Sequence, residues 1–556
     1  MPRIVIGVML ILASSAVASA QELPQDALIG HWRLSADARD SSPNRLDGTN
    51  HGVEFIVKGP EGLAGGAAKF DGRRGFVEIP AAEPLKLGKG DFSVSLCLHT
   101  AAMLDDAPGD LVSQYDSARR RGFSLAIKHP TGVTTNQAAS RQLHFGIDDG
   151  RIEPNWTDHG RPGQAVYIMS LAVHGRQLYA GTCEPGREQS GHVFRFDGGT
   201  KWIDCGSPDA CNAVSSLAVH LGELYAGVSK YRLAGSAQAE SENTRPGGKV
   251  FRYAGGSKWE ACGQLPDTEA IGGLVEFRGR LYATSLYKPA GFFVYGGDRT
   301  WKSLPTPGGK RTESLAVFNG NIFAGSYDGG HVYRFDGETW TDCGQLGDNT
   351  QTYSFAIHEG RLFVGTWPSG RVYRFAKDNE WEDVGRLGEE LEVMGMMVHN
   401  GKLFAGTLPL ASVYRFDGLD RWTHIGRLDL TADVKYRRAW TMAEFQGRLF
   451  CGTLPSGHVL SIEAGRNVTW DDELPPGWRH VAAVRSAGKL ELFVDGRLVG
   501  SSAAFERADY DLTNDQPLRI GFGPGDYFNG HLRDVRLYRR ALTRDEIARL
   551  ARPIAP

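Results

Sequence analysis

A unit reading LAVHGRQLYAGT from Leu171 to Thr182, GHVFRFDG from Gly191 to Gly198 and WIDCG from Trp202 to Gly206 recurs along the middle of the chain. Its turn glycine falls at Gly175, Gly222, Gly279, Gly320, Gly360, Gly401 and Gly447, in steps of 47, 57, 41, 40, 41 and 46 residues. Internal repeats of this length build arrays in which each unit buries its apolar face against the next. Alternating apolar residues on both sides of a short Gly-containing turn mark a β-hairpin, because Gly supplies the positive φ such turns need. The Val-Tyr-Arg-Phe-Asp-Gly segment supplies a third strand and the segment beginning at Trp a fourth. Seven four-stranded units of this kind predict a seven-bladed β-propeller over residues 151–464.

Outer-strand tryptophans recur at Trp202, Trp259, Trp301, Trp340, Trp381 and Trp422, and a further copy, Asn155-Trp156-Thr157-Asp158-His159-Gly160, precedes the first hairpin. Trp156 lies 19 residues ahead of Gly175, against 20 from Trp202 to Gly222 and from Trp340 to Gly360. The last unit supplies only three strands, up to Ile462. The early strand is therefore expected to complete it and close the ring, which removes open sheet edges. Trp470 would be an eighth fourth-strand for seven hairpins and is assigned to the flank. Entry and exit then share one face of the ring, leaving the opposite mouth to solvent.

The flanks carry, in order, Gly30-His31-Trp32-Arg33-Leu34, Asp40-Ser41-Ser42-Pro43-Asn44, Ala68-Lys69-Phe70-Asp71-Gly72, Phe76-Val77-Glu78-Ile79 and Asp91-Phe92-Ser93-Val94-Ser95. After the repeats come Gly477-Trp478-Arg479-His480-Val481-Ala482, Leu490 to Gly496, Gly530 to Tyr538 and Arg540-Ala541-Leu542-Thr543. This pattern resembles the two halves of a laminin G-like, concanavalin A-like domain, and the repeat resembles kelch-like propellers. The resemblance departs from the family near Leu96 and Cys97, where a tryptophan is common. It implies an all-β chain: a jelly-roll sandwich, first half at 21–150 and second half at 465–556, with the propeller inserted in one of its loops. Each half alone would expose an unfinished sandwich face.

Arg3, an apolar run from Ile4 to Leu12 and the ending Ala18-Ser19-Ala20 have the order of a secretory signal peptide over residues 1–20, with the mature chain starting at Gln21. No later segment approaches the length of a membrane span, and no cysteine follows the cleavage site to accept lipid, so a secreted or periplasmic protein without membrane insertion is expected. The 62 Lys and Arg against 65 Asp and Glu give a net charge of −3 without a basic block, which argues against nucleic acid as partner. Seven cysteines is an odd count for an oxidising compartment. Cys205 and Cys211 are the close pair for a local disulfide.

No zinc, P-loop or H-E-x-x-H pattern occurs. His174, His220, His358 and His399 share one repeat position in different blades and read as structural, as do His192, His331 and His458. The arginines Arg195, Arg252, Arg334, Arg374 and Arg415 share one third-strand position and read as outward-facing, and Gly521 to Gly525 reads as a turn. Binding residues concentrate on loops held by a rigid scaffold, which points to the open mouth. There Tyr327, Asp328, Trp367, Tyr436 and Arg438 are the candidate ligand contacts, since rings stack on sugar faces while Arg and Asp bind hydroxyls. Family resemblance also places Asp40 and Asp534 near a structural Ca²⁺, an ion that takes oxygen ligands.

The leading expectation is a non-enzymatic recognition protein for an extracellular glycan or glycoprotein. A polysaccharide-acting enzyme is the rival, needing a carboxylate pair about 5 to 10 Å apart, for which Glu313, Asp328 and Glu392 are placed. A scaffold for other secreted proteins is the third reading.

Overall fold

The computed structural model describes residues 24–56, 66–151 and 155–552. The expected signal peptide lies outside them. Among the described residues no helix is long and apolar enough to cross a membrane. Nearly all the regular structure among the described residues is strand, with one α-helix at Arg544–Ala551, whose Thr543 and Glu546 form a capping box.

The repeats fold into a β-propeller. Each inner hairpin turns on two residues of positive φ, such as Glu359 (50°) with Gly360 (68°) and Asn400 (43°) with Gly401 (73°). That requirement explains the recurring glycine. Five of the sheets have four strands, and one has eight. The larger sheet contains two successive repeats, Tyr167 to Asp204 and Ala213 to Gln264, joined by the single pairing of Cys183 with Ala213. The repeats thus meet five separate four-stranded sheets and one double sheet.

Neighbouring repeats are stapled by indole hydrogen bonds. Trp259, Trp301, Trp381 and Trp422 donate Nε1–H to the carbonyls of Cys205, Cys262, Cys343 and Val384, at 2.8–2.9 Å. Trp202 donates to the carbonyl of His159 (2.8 Å), beside the early strand Thr157–Asp158. That strand pairs antiparallel with Val459–Ile462, Thr157 opposite Ser461. It also repeats a side-chain pair of the other sheets: His458 meets Asp158 at 2.8 Å as His192 meets Asp204 and His331 meets Asp342, both at 2.9 Å.

The flanks build two further sheets, and strands from both chain ends interleave in each. In one, Asn529–Tyr538 lies between Ala67–Asp71 and Phe92–Thr100, and Phe92–Thr100 also pairs with Gly477–Ser486. In the other, Leu518–Ile520 lies between Phe76–Ile79 and Gly109–Asp116, while Arg466–Glu473, with Trp470 opposite Leu143, pairs with Gln142–Asp149. Trp32, Phe70, Phe92, Phe123, Phe145 and Leu532 fill the space between the sheets.

Gly109–Asp116 and Gln142–Asp149 are buried at every position, not at alternate ones. One face of their sheet packs on the sandwich core and the other against the propeller. The glycine turns of the inner hairpins lie on that boundary: a Cβ on Gly360 would come within 2.4 Å of the Tyr527 ring, and one on Gly401 within 2.6 Å of Tyr115. His358 and Gly360 bond the carbonyls of Pro524 and Gly525, so the glycine-rich turn after Leu518–Ile520 is a docking element.

From this sheet the connection between Arg121–Lys128 and Gln142–Asp149 enters the propeller axis as a finger, residues 129–141. Its backbone bonds those of Val173, Leu217, Leu274 and Phe355 on the inner strands of four different repeats. At the tip, Asn136 accepts from the Leu217 amide (2.9 Å) and donates to Thr441 Oγ1 (3.0 Å). Thr134, Thr135, Asn136 and Gln137 are at most 2% exposed. The polar sequence of the finger suits this position, because inner-strand ends offer backbone and hydroxyl partners that apolar side chains would leave unsatisfied.

All seven cysteines, buried, are free thiols, and Cys205 and Cys211 do not form the expected local disulfide. Both pack inside one apolar cluster with Val193 and Phe251.

Burial on the interface raises the Asp110 carboxyl to about 7, against the opposing pull of its hydrogen bonds from the Asp526 and Gly525 amides. A raised folded value means that its contribution is full below about pH 4 and is lost as pH rises to 7. Relative to the native chain, Asp110→Asn is therefore expected to gain stability steadily from pH 4 to 7 and no further above. Urea midpoints across that range check this, and a pH-independent difference would contradict it.

Candidate functional site at the open mouth

The mouth opposite the two-sheet sandwich is built where the inner strands begin. All the inner hairpins carry a β-bulge there, as between Thr312 and Leu315, Thr352 and Phe355, Val393 and Met396, and Ala439 and Thr441. Bulges re-aim side chains that regular pleating would send elsewhere. Counting back from the residue that ends each inner strand, one position holds Ser170, Ser216, Gly273, Ser314, Ser354, Gly395 and Thr441. These small residues leave room for the finger: Ser314 Oγ donates to the Gly132 carbonyl, and Ser354 Oγ accepts from the Thr134 amide (3.2 Å).

One residue nearer the mouth stand Glu313, Tyr353 and Trp440, where other repeats have Met169, Ser215 or Gly272. Two residues further out the same alignment holds Tyr167, Arg311, Glu392 and Arg438. Glu313, Glu392 and Arg438 are 3%, 2% and 7% exposed, so a charged group lies beneath the rim. Arg438 Nη2 is 3.8 Å from Glu392, and its Nη1 donates to Ser236 Oγ at 2.8 Å and reaches the hydroxyls of Tyr167 and Tyr231 at 3.4 Å. Ser236 belongs to the long excursion after Glu223–Ser229, whose 3₁₀ turn Leu233–Ser236 is held by Glu240 accepting from two backbone amides.

The rings of Tyr167, Tyr231, Tyr353 and Trp440 enclose this charge, with centroid separations of 5.5–6.3 Å. Trp440 Nε1–H donates to the Met169 carbonyl on the adjoining inner strand. Tyr287, Tyr327, Trp367 and Tyr436 pack on the same cluster but stay half-buried, forming the rim.

Burial lifts the Glu313 carboxyl to about 8, and the charge of Glu392 adds to this while Arg438 and Arg311 oppose it. Burial also raises Glu392, against the pull of Arg438 and a hydrogen bond from Tyr353. Arg438 stays firmly charged: burial alone would lower it, but Tyr167 and Glu392 outweigh that.

The residues expected from the sequence thus gather around one cluster in unequal roles. Tyr327, Trp367 and Tyr436 are rim rings. Arg438 lies beneath them. Asp328 is committed: its carboxylate accepts from the Arg311 amide (2.9 Å), Nε (3.1 Å) and Nη2 (2.7 Å), which holds that guanidinium 4.9 Å from the Tyr327 ring. Tyr167, Tyr231, Tyr353 and Trp440 complete the cage without having been singled out as contacts. Divergence from the repeat at a channel-lining position is the signal that would have found Tyr353 and Trp440.

Asp40 and Asp534 do not suit the expected calcium. Asp40 spends its carboxylate on the amides of His31, Ser42 and Leu46 at 2.8 Å each. Asp534 meets Arg533 at 3.0 Å and Arg536 at 3.1 Å, guanidinium partners that repel a divalent cation, and bonds the His31 ring, which burial keeps neutral, at 3.1 Å. Among the described residues no group of three or more His, Cys, Asp or Glu could hold a metal ion.

The outer-face arginines pair locally: Arg252 with Glu260, Arg334 with Asp378, Arg374 with Glu382 and Arg415 with Asp417. Of the shared-position histidines, His220 bonds Glu276 (2.9 Å) and His399 bonds Glu444 (2.5 Å).

Residues 456–548 match the family described as the concanavalin A-like lectin/glucanases superfamily. No curated protein matches the sequence. Among solved structures, the chain is similar to virginiamycin B lyase from Staphylococcus aureus, with 10% identity over 56% of this chain and 99% of that one, at a TM-score of 0.43. It is likewise similar to the WD40 propeller domain of Doa1, with 10% identity over 56% and 97% of the two chains, at 0.39. At such identities and scores, nothing about ligand or chemistry passes from them to this chain. A lectin-like domain beside a propeller is an architecture of binding and interaction.

Proposed function

We propose that the chain is a secreted carbohydrate-recognition protein: a seven-bladed propeller, with the double sheet counted as two blades, inserted in one jelly roll and binding its ligand at the open mouth. The observation that carries this reading is the rim of half-buried rings, Tyr287, Tyr327, Trp367 and Tyr436, over a buried carboxylate and arginine group. Aromatic faces pack on the apolar faces of sugar rings, and charged groups below them accept and donate to hydroxyls. The propeller covers the outer face of one jelly-roll sheet, which favours the mouth over that sheet as the place for a glycan.

A glycan array followed by titration tests the reading. Trp367→Ala is expected to weaken a glycan found this way about 10- to 100-fold, the range of a well-packed aromatic anchor worth about 1–3 kcal/mol, with little change in melting temperature. Unchanged affinity would remove the rim from the site.

One observation favours a second reading, a glycan-cleaving enzyme. Glu313, lifted to about 8, would hold a proton at neutral pH beside a second carboxylate, as general acids do. Release of reducing ends or unsaturated sugars, abolished in Glu313→Gln, would establish it, whereas saturable binding without turnover supports recognition alone.

A further inference from the structure

Of the arginines whose charge Glu313 feels, Arg311 is clamped by Asp328 and Arg438 lies 3.8 Å from Glu392, while Arg232 and Lys435 stand over the rim rings of Tyr287 and Tyr436, so none of these cations pairs with Glu313. Glu313 Oε2 and Glu392 Oε1 are buried without a hydrogen-bond partner, although neither carboxylate is more than 3% exposed. A buried acceptor of this kind is destabilising when unmet, so it is retained where something meets it. The surrounding groups are tyrosines of the ring cluster: Tyr231, Tyr327 and Tyr353 all lie close enough to Glu313 for their hydroxyls to feel its charge. Aromatic faces attract cations, most strongly where water is excluded. Two unpaired carboxylate oxygens within a cage of rings match a primary ammonium, whose three donors can serve both oxygens and whose charge faces the rings.

We infer that the ligand of this mouth carries a free amine, and, resting on the carbohydrate reading above, that it is an amino sugar with its amine not acylated. The finger tip is the floor of the site, since Glu313, Tyr353 and Trp440 each immediately precede a residue, Ser314, Ser354 or Thr441, that bonds it. An acidic glycan would oppose Glu313 and Glu392. A neutral N-acylated sugar would leave both oxygens unmet.

Proton linkage gives a second readout. Glu392, Arg438, Arg311, Tyr231, Tyr327 and Tyr353 face Glu313, and without ligand the balance among them and burial keeps it protonated at neutral pH. A bound ammonium favours the carboxylate, so binding at pH 7 releases up to one proton, and affinity rises with pH until the amine itself deprotonates.

The experiment titrates the full chain calorimetrically with a β-1,4-glucosamine hexamer, its fully N-acetylated counterpart, an oligogalacturonate and spermidine, in buffers of different ionisation enthalpy. The expected result is binding of the glucosamine hexamer at least tenfold tighter than of the N-acetylated or acidic oligomers, with proton release. Glu313→Gln and Glu392→Gln, each checked for native melting, are expected to lose that preference and the former the proton release. Equal or tighter binding of the N-acetylated or acidic oligomer overturns the amine inference and leaves the glycan reading standing. Binding of spermidine but of no sugar supports the ammonium site and overturns the glycan reading. Binding of none of the four overturns both.

Discussion

Glu444→Ala is expected to destabilise the protein by about 3–5 kcal/mol, the cost of leaving a buried ion pair's partner uncompensated. Glu444 sits 1% exposed on the propeller strand Arg438–Phe445, facing the two-sheet sandwich. Its carboxylate accepts from Lys128 (2.7 Å), bonds His399 (2.5 Å) and lies 3.1 Å from His144. Burial would raise this carboxyl, but His144, Lys128 and His399 hold it well below the usual range, while burial holds the His399 imidazole down at about 4. At neutral pH the group is thus one carboxylate and one ammonium, joined by two neutral imidazoles. Removing the carboxylate leaves Lys128 with the Val398 carbonyl (3.2 Å) and the charge of Asp110, whose carboxyl burial keeps at about 7, in place of an ion pair, whereas Glu444→Gln, which keeps an acceptor and the volume, is expected to lose less. Urea unfolding followed by tryptophan fluorescence measures both, and a loss below about 1 kcal/mol for the alanine variant would show that the two domains do not depend on this cluster.

Asn136→Ala is expected to cost about 2–3 kcal/mol, because the cut removes a side chain that satisfies buried groups on two strands and leaves the Leu217 amide and the Thr441 hydroxyl without those bonds. The residue is 1% exposed at the finger tip, where water has little room to replace it. Differential scanning calorimetry reads a second consequence. With the finger in place the domains unfold as one unit, and with its tip loosened the propeller transition moves down apart from that of the jelly roll. A single unshifted transition would mean that the finger fills space without holding the ring together.

Much of the architecture was legible because it is local. The hairpin turns need two residues of positive φ and the repeat supplies them, from Leu221-Gly222 to Gln446-Gly447. The order of strands in the flanks was legible by family resemblance. At the mouth, Tyr327, Trp367 and Tyr436 stood out because they are aromatic residues in loops. Asp328 looked equally available, and only the arrangement in space shows that Arg311 occupies it. Two of the partners of Asp534, Arg533 and Arg536, adjoin it in the chain, whereas its contact with His31, 503 positions away, is made only in space.

The sequence by itself determined the repeating hairpin and its period, since those follow from neighbouring residues and the φ angles they permit. Tertiary structure alone decided that residues 129–141 thread the propeller axis, that Glu444 joins the domains, and that Glu313, Glu392 and Arg438 converge. Each of those contacts joins residues far apart in the chain through charge and hydrogen bonding, and such pairing has no periodicity to betray it.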